Sequence, residues 1–66
     1  MFQIDSKKIR DSMFKKQFNI ATLARAAQLT EKTVASLLNH RRANARTIGK
    51  IADALGVNGE DLIMEE

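Results

Sequence analysis

The sequence has no cysteine, proline, tryptophan or tyrosine, and only one histidine. Without cysteine the chain forms no disulfide and no thiolate metal site, and a single histidine excludes a site built on a histidine pair. No apolar run reaches ten residues, whereas a membrane span needs about 20. We therefore expect a protein without metal, cofactor or membrane contact, and the lack of cysteine fits a reducing cytoplasm.

The chain is short, with 66 residues, of which 44% are hydrophobic and 29% charged. This is the composition of a globular protein, and the length allows one domain over residues 1–66. The only aromatic residues are three phenylalanines, which favours helices over a sheet. A chain of this size rarely encloses a water-excluding pocket, so we do not expect an enzyme.

The charge is distributed unevenly along the chain. Residues 1–50 contain all 11 lysines and arginines and three acidic residues, a net charge of +8, whereas residues 51–66 contain five acidic residues and no basic one. A basic body indicates a polyanionic partner. It is equally typical of a solvated lysine-rich surface, so charge alone leaves both interpretations open.

Capping residues and apolar spacing predict five helices. They cover about residues 6–16, 20–27, 31–39, 45–55 and 59–64. Each predicted helix follows a residue suited to the N-cap, namely Asp5, Asn19, Thr30, Asn44 and Asn58.

Two of these helices have features that can be tested directly. In the first, Ile9, Met13 and Phe14 are expected to form one buried stripe. Gly56 stands where a left-handed residue ends the fourth helix. Residues 1–4 fit either an extended arm or a packed lead-in, and the sequence does not decide between them.

The second and third helices are separated only by residues 28–30. Two short helices joined by such a turn, with a polar outer face on the second, form a helix-turn-helix. In that arrangement the second helix places its N-terminal residues in the major groove, where each base pair presents a distinct pattern of donors and acceptors.

The stretches NIATLA (residues 19–24), LTEKTV (29–34) and ALGV (54–57) resemble the Cro/C1-type (XRE) family of phage and bacterial regulators. The resemblance covers about residues 6–63. It implies an all-α, compact five-helix bundle like that of lambda repressor, with double-stranded DNA as the partner. It also implies regulation of transcription, most simply as a repressor that occludes a promoter.

The resemblance assigns roles to individual positions. Four residues match the base-contacting positions, namely Thr30, Glu31, Lys32 and Ser36, and Thr33 is included as their neighbour on the same helix. Asn39, Arg41 and Arg42 match the loop that binds phosphates, and Arg46 matches a position that reaches a phosphate or the minor groove. Asn19, at a helix N-terminus, can offer amide groups to a phosphate. Some alternatives stay open, because Glu31 also suits the positive end of a helix dipole and Lys32 fits either guanine or phosphate.

The sequence departs from the family pattern at several positions. Ile20 stands where glutamine often contacts phosphate, and Gln28 stands where glycine is common, so we expect a left-handed backbone at Gln28. Met13 and Leu38 occupy positions where many members have a buried Arg–Glu pair. We expect these two apolar residues to be in contact.

The last residues and the histidine allow two interpretations each. The apolar residues Leu62, Ile63 and Met64 either close the core or form a dimer contact. A homodimer would hold two recognition helices about 34 Å apart on a palindromic operator. His40 is either a polar residue at a helix end or a pH-sensitive group.

One alternative function keeps the same fold. The chain would then be a protein-interaction module, such as an antirepressor that binds a partner regulator. The apolar Ile20 and the exposed tail favour this alternative.

Overall fold

The computed structural model describes residues 1–64 and contains four α-helices, a single 3₁₀ turn and a two-stranded antiparallel sheet. Glu65 and Glu66 of the acidic segment lie outside the described residues. In chain order the elements are β1 (Phe2–Gln3), α1 (Ser6–Lys15), α2 (Ile20–Ala27), α3 (Glu31–His40), β2 (Arg42–Ala43), α4 (Ala45–Leu55) and the 3₁₀ turn (Gly59–Leu62).

The four α-helices begin where the sequence predicts. In each helix the side chain of the N-cap residue accepts a hydrogen bond from a backbone N–H in the first turn, at 2.8 to 3.2 Å. Such bonds satisfy a donor that has no partner within the helix. The acceptor and donor residues are Asp5 and Lys8, Asn19 and Thr22, Thr30 and Thr33, and Asn44 and Thr47.

A left-handed residue follows each helix, and only one of the four is glycine. Gly56 has φ 71°, and the non-glycine residues Gln17, Gln28 and Arg41 have φ between 58° and 60°. The predictions for Gln28 and Gly56 are confirmed. The N–H of Leu29 donates to the carbonyl of Ala24 at 2.8 Å, which ties the end of α2 to the turn.

The core lies between the helices, and α2 packs against both α3 and α4. The predicted buried face of α2 is present, since Leu23, Ala24 and Ala27 are buried. Met13 of α1 and Leu38 of α3 both belong to the core. Two apolar residues at these positions avoid the desolvation that a buried ion pair requires.

The prediction that Phe14 belongs to the core is wrong. Ile9 and Met13 are buried, but the side chain of Phe14 is 84% exposed. One residue further along a helix turns the side chain by about 100°, so Phe14 points away from the face that Ile9 and Met13 bury.

Residues 2–4 form a packed strand. Phe2 pairs with Ala43 and Gln3 with Arg42 in the antiparallel sheet of β1 and β2. Ile4 continues the pairing, because its N–H donates to the carbonyl of residue 41 at 2.9 Å and its side chain is 1% exposed. This result decides between the two alternatives for the N-terminal residues.

The predicted fifth helix is also wrong, so the mostly helical fold, which agrees with the predicted all-α class, has four α-helices and not five. Only Gly59–Leu62 form a 3₁₀ turn, and Ile63 is extended and bridges to Ile4. Asn58 precedes the turn without a side-chain capping bond. The backbone groups that would continue a helix bond to the N-terminal segment instead, since the Leu62 carbonyl accepts from Asp5 N–H at 2.8 Å.

Residues 2–5, 41–43 and 62–64 therefore form one structure, which we call the terminal ribbon. Its middle segment is 2–5, with a partner on each side. A further bond joins the N-terminal part to α3, as the Ser6 hydroxyl donates to the carbonyl of Leu38 at 3.0 Å. In residues 1–64 no helix has the length and apolar character of a membrane span.

Candidate nucleic-acid interface

Helix α3 has one buried face and one exposed face. Val34, Leu37 and Leu38 are buried against the other helices. The five residues predicted to contact bases are all exposed; they are Thr30, Glu31, Lys32, Thr33 and Ser36. The buried apolar residues therefore hold α3 against the other helices and leave its polar face accessible to a macromolecule.

Two of these side chains bind each other. The Thr30 hydroxyl accepts from the Thr33 N–H at 3.1 Å and donates to the Thr33 hydroxyl at 2.8 Å. The Thr30 hydroxyl thus caps α3, and it has no further proton to donate to a ligand. The Thr33 hydroxyl keeps its own proton, so it has a donor for an external acceptor.

A cleft of about 810 Å³ runs beside the exposed face of α3. Leu37 and Ala43 lie at its floor as buried residues, and Lys32, Ser36 and Arg42 line it as exposed ones. The cleft is bounded by α3, by β2 and by the start of α4. The fold therefore brings Arg42, a predicted phosphate ligand, to the same surface as three predicted base-contacting residues, Lys32, Thr33 and Ser36.

The cations of this surface form no ion pair with any of the residues that the structure describes. Across residues 1–64 the one ion pair joins Lys7 to Asp11 on α1, at 3.7 Å between Nζ and Oδ2. Lys32 and Arg42 are exposed and take no part in it. Exposed, unpaired cations lower the free energy of binding a polyanion by releasing its counterions.

The remaining predicted phosphate ligands are exposed but do not line this cleft. They are Asn19, Asn39, Arg41 and Arg46. The Oδ1 atom of Asn19 caps α2 by accepting from the N–H and hydroxyl of Thr22, at 2.8 and 2.9 Å. Its amide group remains able to donate to a phosphate oxygen.

Besides the buried Leu37 and Ala43, four residues that line the cleft were missed by sequence reasoning. His40 lies on α3, Asn44 and Thr47 come from the start of α4, and Met1 comes from the N-terminal segment. Helical periodicity could have identified His40, since it is four residues after Ser36 and therefore on the same face. No local signal marks Met1, because its position depends on the pairing of β1 with β2.

The structure explains why Ile20 stands where glutamine is common in the family pattern. Ile20 is half-buried and packs against the core. It therefore contributes to stability at a position where many family members have a polar contact.

Leu62 lies outside any exposed dimer surface. It is 2% exposed, whereas Ile63 is half-buried and Met64 is 46% exposed. The dimer contact stays a prediction, and Ile63 and Met64 are its accessible residues.

Within residues 1–64 no three His, Cys, Asp or Glu side chains come together as a metal ion would require.

Comparison with known proteins identifies the family. A search of curated proteins gives no match. The sequence model of the Cro/C1-type HTH DNA-binding domain matches residues 8–64, which include all four α-helices except the first two residues of α1. The resemblance derived from the sequence is thereby confirmed, and the chain belongs to the Cro/C1-type HTH DNA-binding domain family.

Proposed function

We propose that the protein binds double-stranded DNA sequence-specifically through α3 and regulates transcription, as a repressor that occludes a promoter. One observation carries the proposal: the whole polar face from Thr30 to Ser36 is exposed, and the exposed cation Arg42 lies on the same surface. Lys32, Thr33 and Ser36 supply donors for base edges, and Arg42 supplies a donor for phosphate.

Repression by occlusion requires only that the protein occupies DNA that RNA polymerase needs. The bound partner is proposed to be a palindromic operator, occupied by a homodimer. A contact through Ile63 and Met64 would make the two copies equivalent, as a two-fold symmetric contact requires. The two copies of α3 would then enter successive major grooves on one side of the duplex.

The first experiment measures binding of a labelled random-sequence duplex over a salt series. The expected result is a steep loss of affinity with salt, because each neutralised phosphate contributes about 0.9 to the logarithmic slope. No binding even at low salt would contradict the proposal and favour the alternative, a protein-interaction module such as an antirepressor.

Two substitutions separate phosphate contacts from base contacts. Arg42→Ala is expected to weaken binding to every sequence and to flatten the salt slope by about one unit. Lys32→Ala is expected to lose about 1–3 kcal/mol of discrimination at one base position, provided Lys32 contacts guanine. Equal loss on all sequences would instead assign Lys32 to phosphate.

The matched control is Arg10→Ala, which also removes one positive charge. Arg10 is exposed on α1 and lines neither the cleft nor the groove that contains Ile63 and Met64. It is expected to leave the salt slope and base preference nearly unchanged. Selection from a random duplex library then gives the operator, and an inverted repeat in the selected motif is the result expected for a homodimer.

A further inference from the structure

His40 lines the cleft and is the one histidine of the sequence, a residue type that often acts as a pH-dependent charge. It is exposed at the last position of α3. Lys32, Ser36 and His40 are spaced four residues apart, so they share one helical face. His40 therefore continues this face to the C-terminal end of α3, beyond the residues expected to contact bases.

The position of His40 along α3 decides which part of a duplex it meets. It lies eight residues after Lys32, or about 12 Å along the helix axis. In a helix-turn-helix the N-terminal residues of the second helix contact base edges. A residue two turns further along the helix lies towards the edge of the groove, where the phosphates are.

In residues 1–64 the other charged side chains at the cleft are both positive. Lys32 comes from α3 and Arg42 from β2. The two residues from α4, Asn44 and Thr47, are uncharged. Among residues 1–64 no carboxylate lines the cleft, so a protonated His40 is free to bind an anion from outside, such as a phosphate.

From this arrangement we infer that His40 binds a backbone phosphate of the DNA duplex in its protonated form, so that DNA binding takes up a proton. The inference rests on the proposed function and adds a ligand and a pH dependence to the same surface. An imidazolium donates a charge-assisted hydrogen bond to a phosphate oxygen, whereas neutral imidazole offers a weaker one. The complex therefore retains its proton to higher pH than the free protein does. Affinity is raised at low pH, and the gain is lost as pH rises.

The test compares the whole protein with His40→Gln at about pH 6 and about pH 8, using a labelled random-sequence duplex of roughly 20 base pairs. Wild type is expected to bind about three- to tenfold more tightly at the lower pH, beyond any change in the variant. Glutamine keeps one donor and suits a helix, so the variant is expected to fold. Since the chain has no other histidine and no cysteine, and Met1 is present in both proteins, the difference reports His40 alone.

The salt slope gives an independent result. At about pH 6 the slope of wild type is expected to exceed that of His40→Gln by about one unit, and at about pH 8 the two slopes are expected to coincide. Arg10→Gln is the matched control for loss of a positive charge elsewhere, and it is expected to keep the full pH dependence of wild type.

The single imidazole can also be followed directly by NMR. Addition of the duplex is expected to move the titration of the His40 ring protons to higher pH. An unmoved titration, or the same pH dependence of affinity in His40→Gln, would overturn the inference while leaving the proposed function intact. Failure of wild type to bind any duplex at low salt, at both pH values, would overturn the two together.

Discussion

The helix-turn-helix and the terminal ribbon are built from different kinds of interaction. In α2 and α3 the caps and backbone bonds join residues three to five positions apart, such as Asn19 to Thr22 and Ala24 to Leu29. In the ribbon, Ile4 bonds to residue 41 and Asp5 to residue 62. The comparison shows that the first structure depends on neighbours in sequence, while the second exists only after the chain has folded back on itself.

The two regions meet at the proposed interface. Helix α3 supplies Lys32 and Ser36, whereas β2, a strand of the ribbon, supplies Arg42. The pairing of Gln3 with Arg42 holds the backbone at that position. The placement of Arg42, a proposed phosphate ligand, therefore depends on the N-terminal strand, although that strand lies outside the helix-turn-helix.

The largest expected effect tests whether the ribbon is as tightly packed as the helices. Ile4→Ala is expected to lower the free energy of unfolding by about 2–4 kcal/mol, as is Leu23→Ala in α2. Both side chains are at most 1% exposed, so each substitution leaves a cavity. Urea unfolding followed by circular dichroism measures both. If Leu23→Ala shows the full loss and Ile4→Ala less than about 1 kcal/mol, the ribbon is a loosely held arm.

A smaller loss of stability is expected when the N-cap of α2 is removed, and a still smaller one when the residue before the C-terminal 3₁₀ turn is changed. Asn19→Ala removes the side-chain acceptor at the start of α2, and we expect a loss of about 1 kcal/mol. Asn58→Ala is expected to change stability by less than about 0.5 kcal/mol, because Asn58 makes no side-chain capping bond. Equal losses in thermal unfolding would show that the turn is capped like a helix.

The smallest effect is a gain in stability at the turn of the helix-turn-helix. Gln28 has φ 58°, a conformation that strains a residue with a Cβ atom. Gln28→Gly is expected to raise the free energy of unfolding by about 0.5–1 kcal/mol. Gln28→Ala is the control, since alanine keeps the Cβ atom and should give no gain. A destabilised Gln28→Gly protein would mean that the glutamine side chain contributes more than its backbone strain costs.

The sequence predicted the four α-helices to within one residue at each end. Side-chain caps and apolar spacing are local properties, so they can be recognised without tertiary information. The prediction failed at Phe14 because the sequence does not distinguish it from Met13. The two apolar residues are adjacent on α1, and only the packing of that helix decides which of them is buried.

The candidate site, like the fold, could be predicted only in part from the sequence. The exposed face of α3 follows from helical periodicity once Val34 and Leu37 are placed in the core. The cleft beside it does not, because β2 and Met1 reach that face only through the pairing of β1 with β2. No pattern within the first four residues specifies a partner about 40 residues away.

The sequence alone determined where the four α-helices begin and, to within one residue, where they end; it also determined which face of α3 is polar and the family to which the chain belongs. Tertiary structure alone decided that the last apolar residues form a strand bridge, that Phe14 is exposed, and that Arg42 and His40 line a common cleft. The physical reason is the range of the interactions. Helical bonds and caps join residues within one or two turns, whereas strand pairing and burial depend on residues brought together from both ends of the chain.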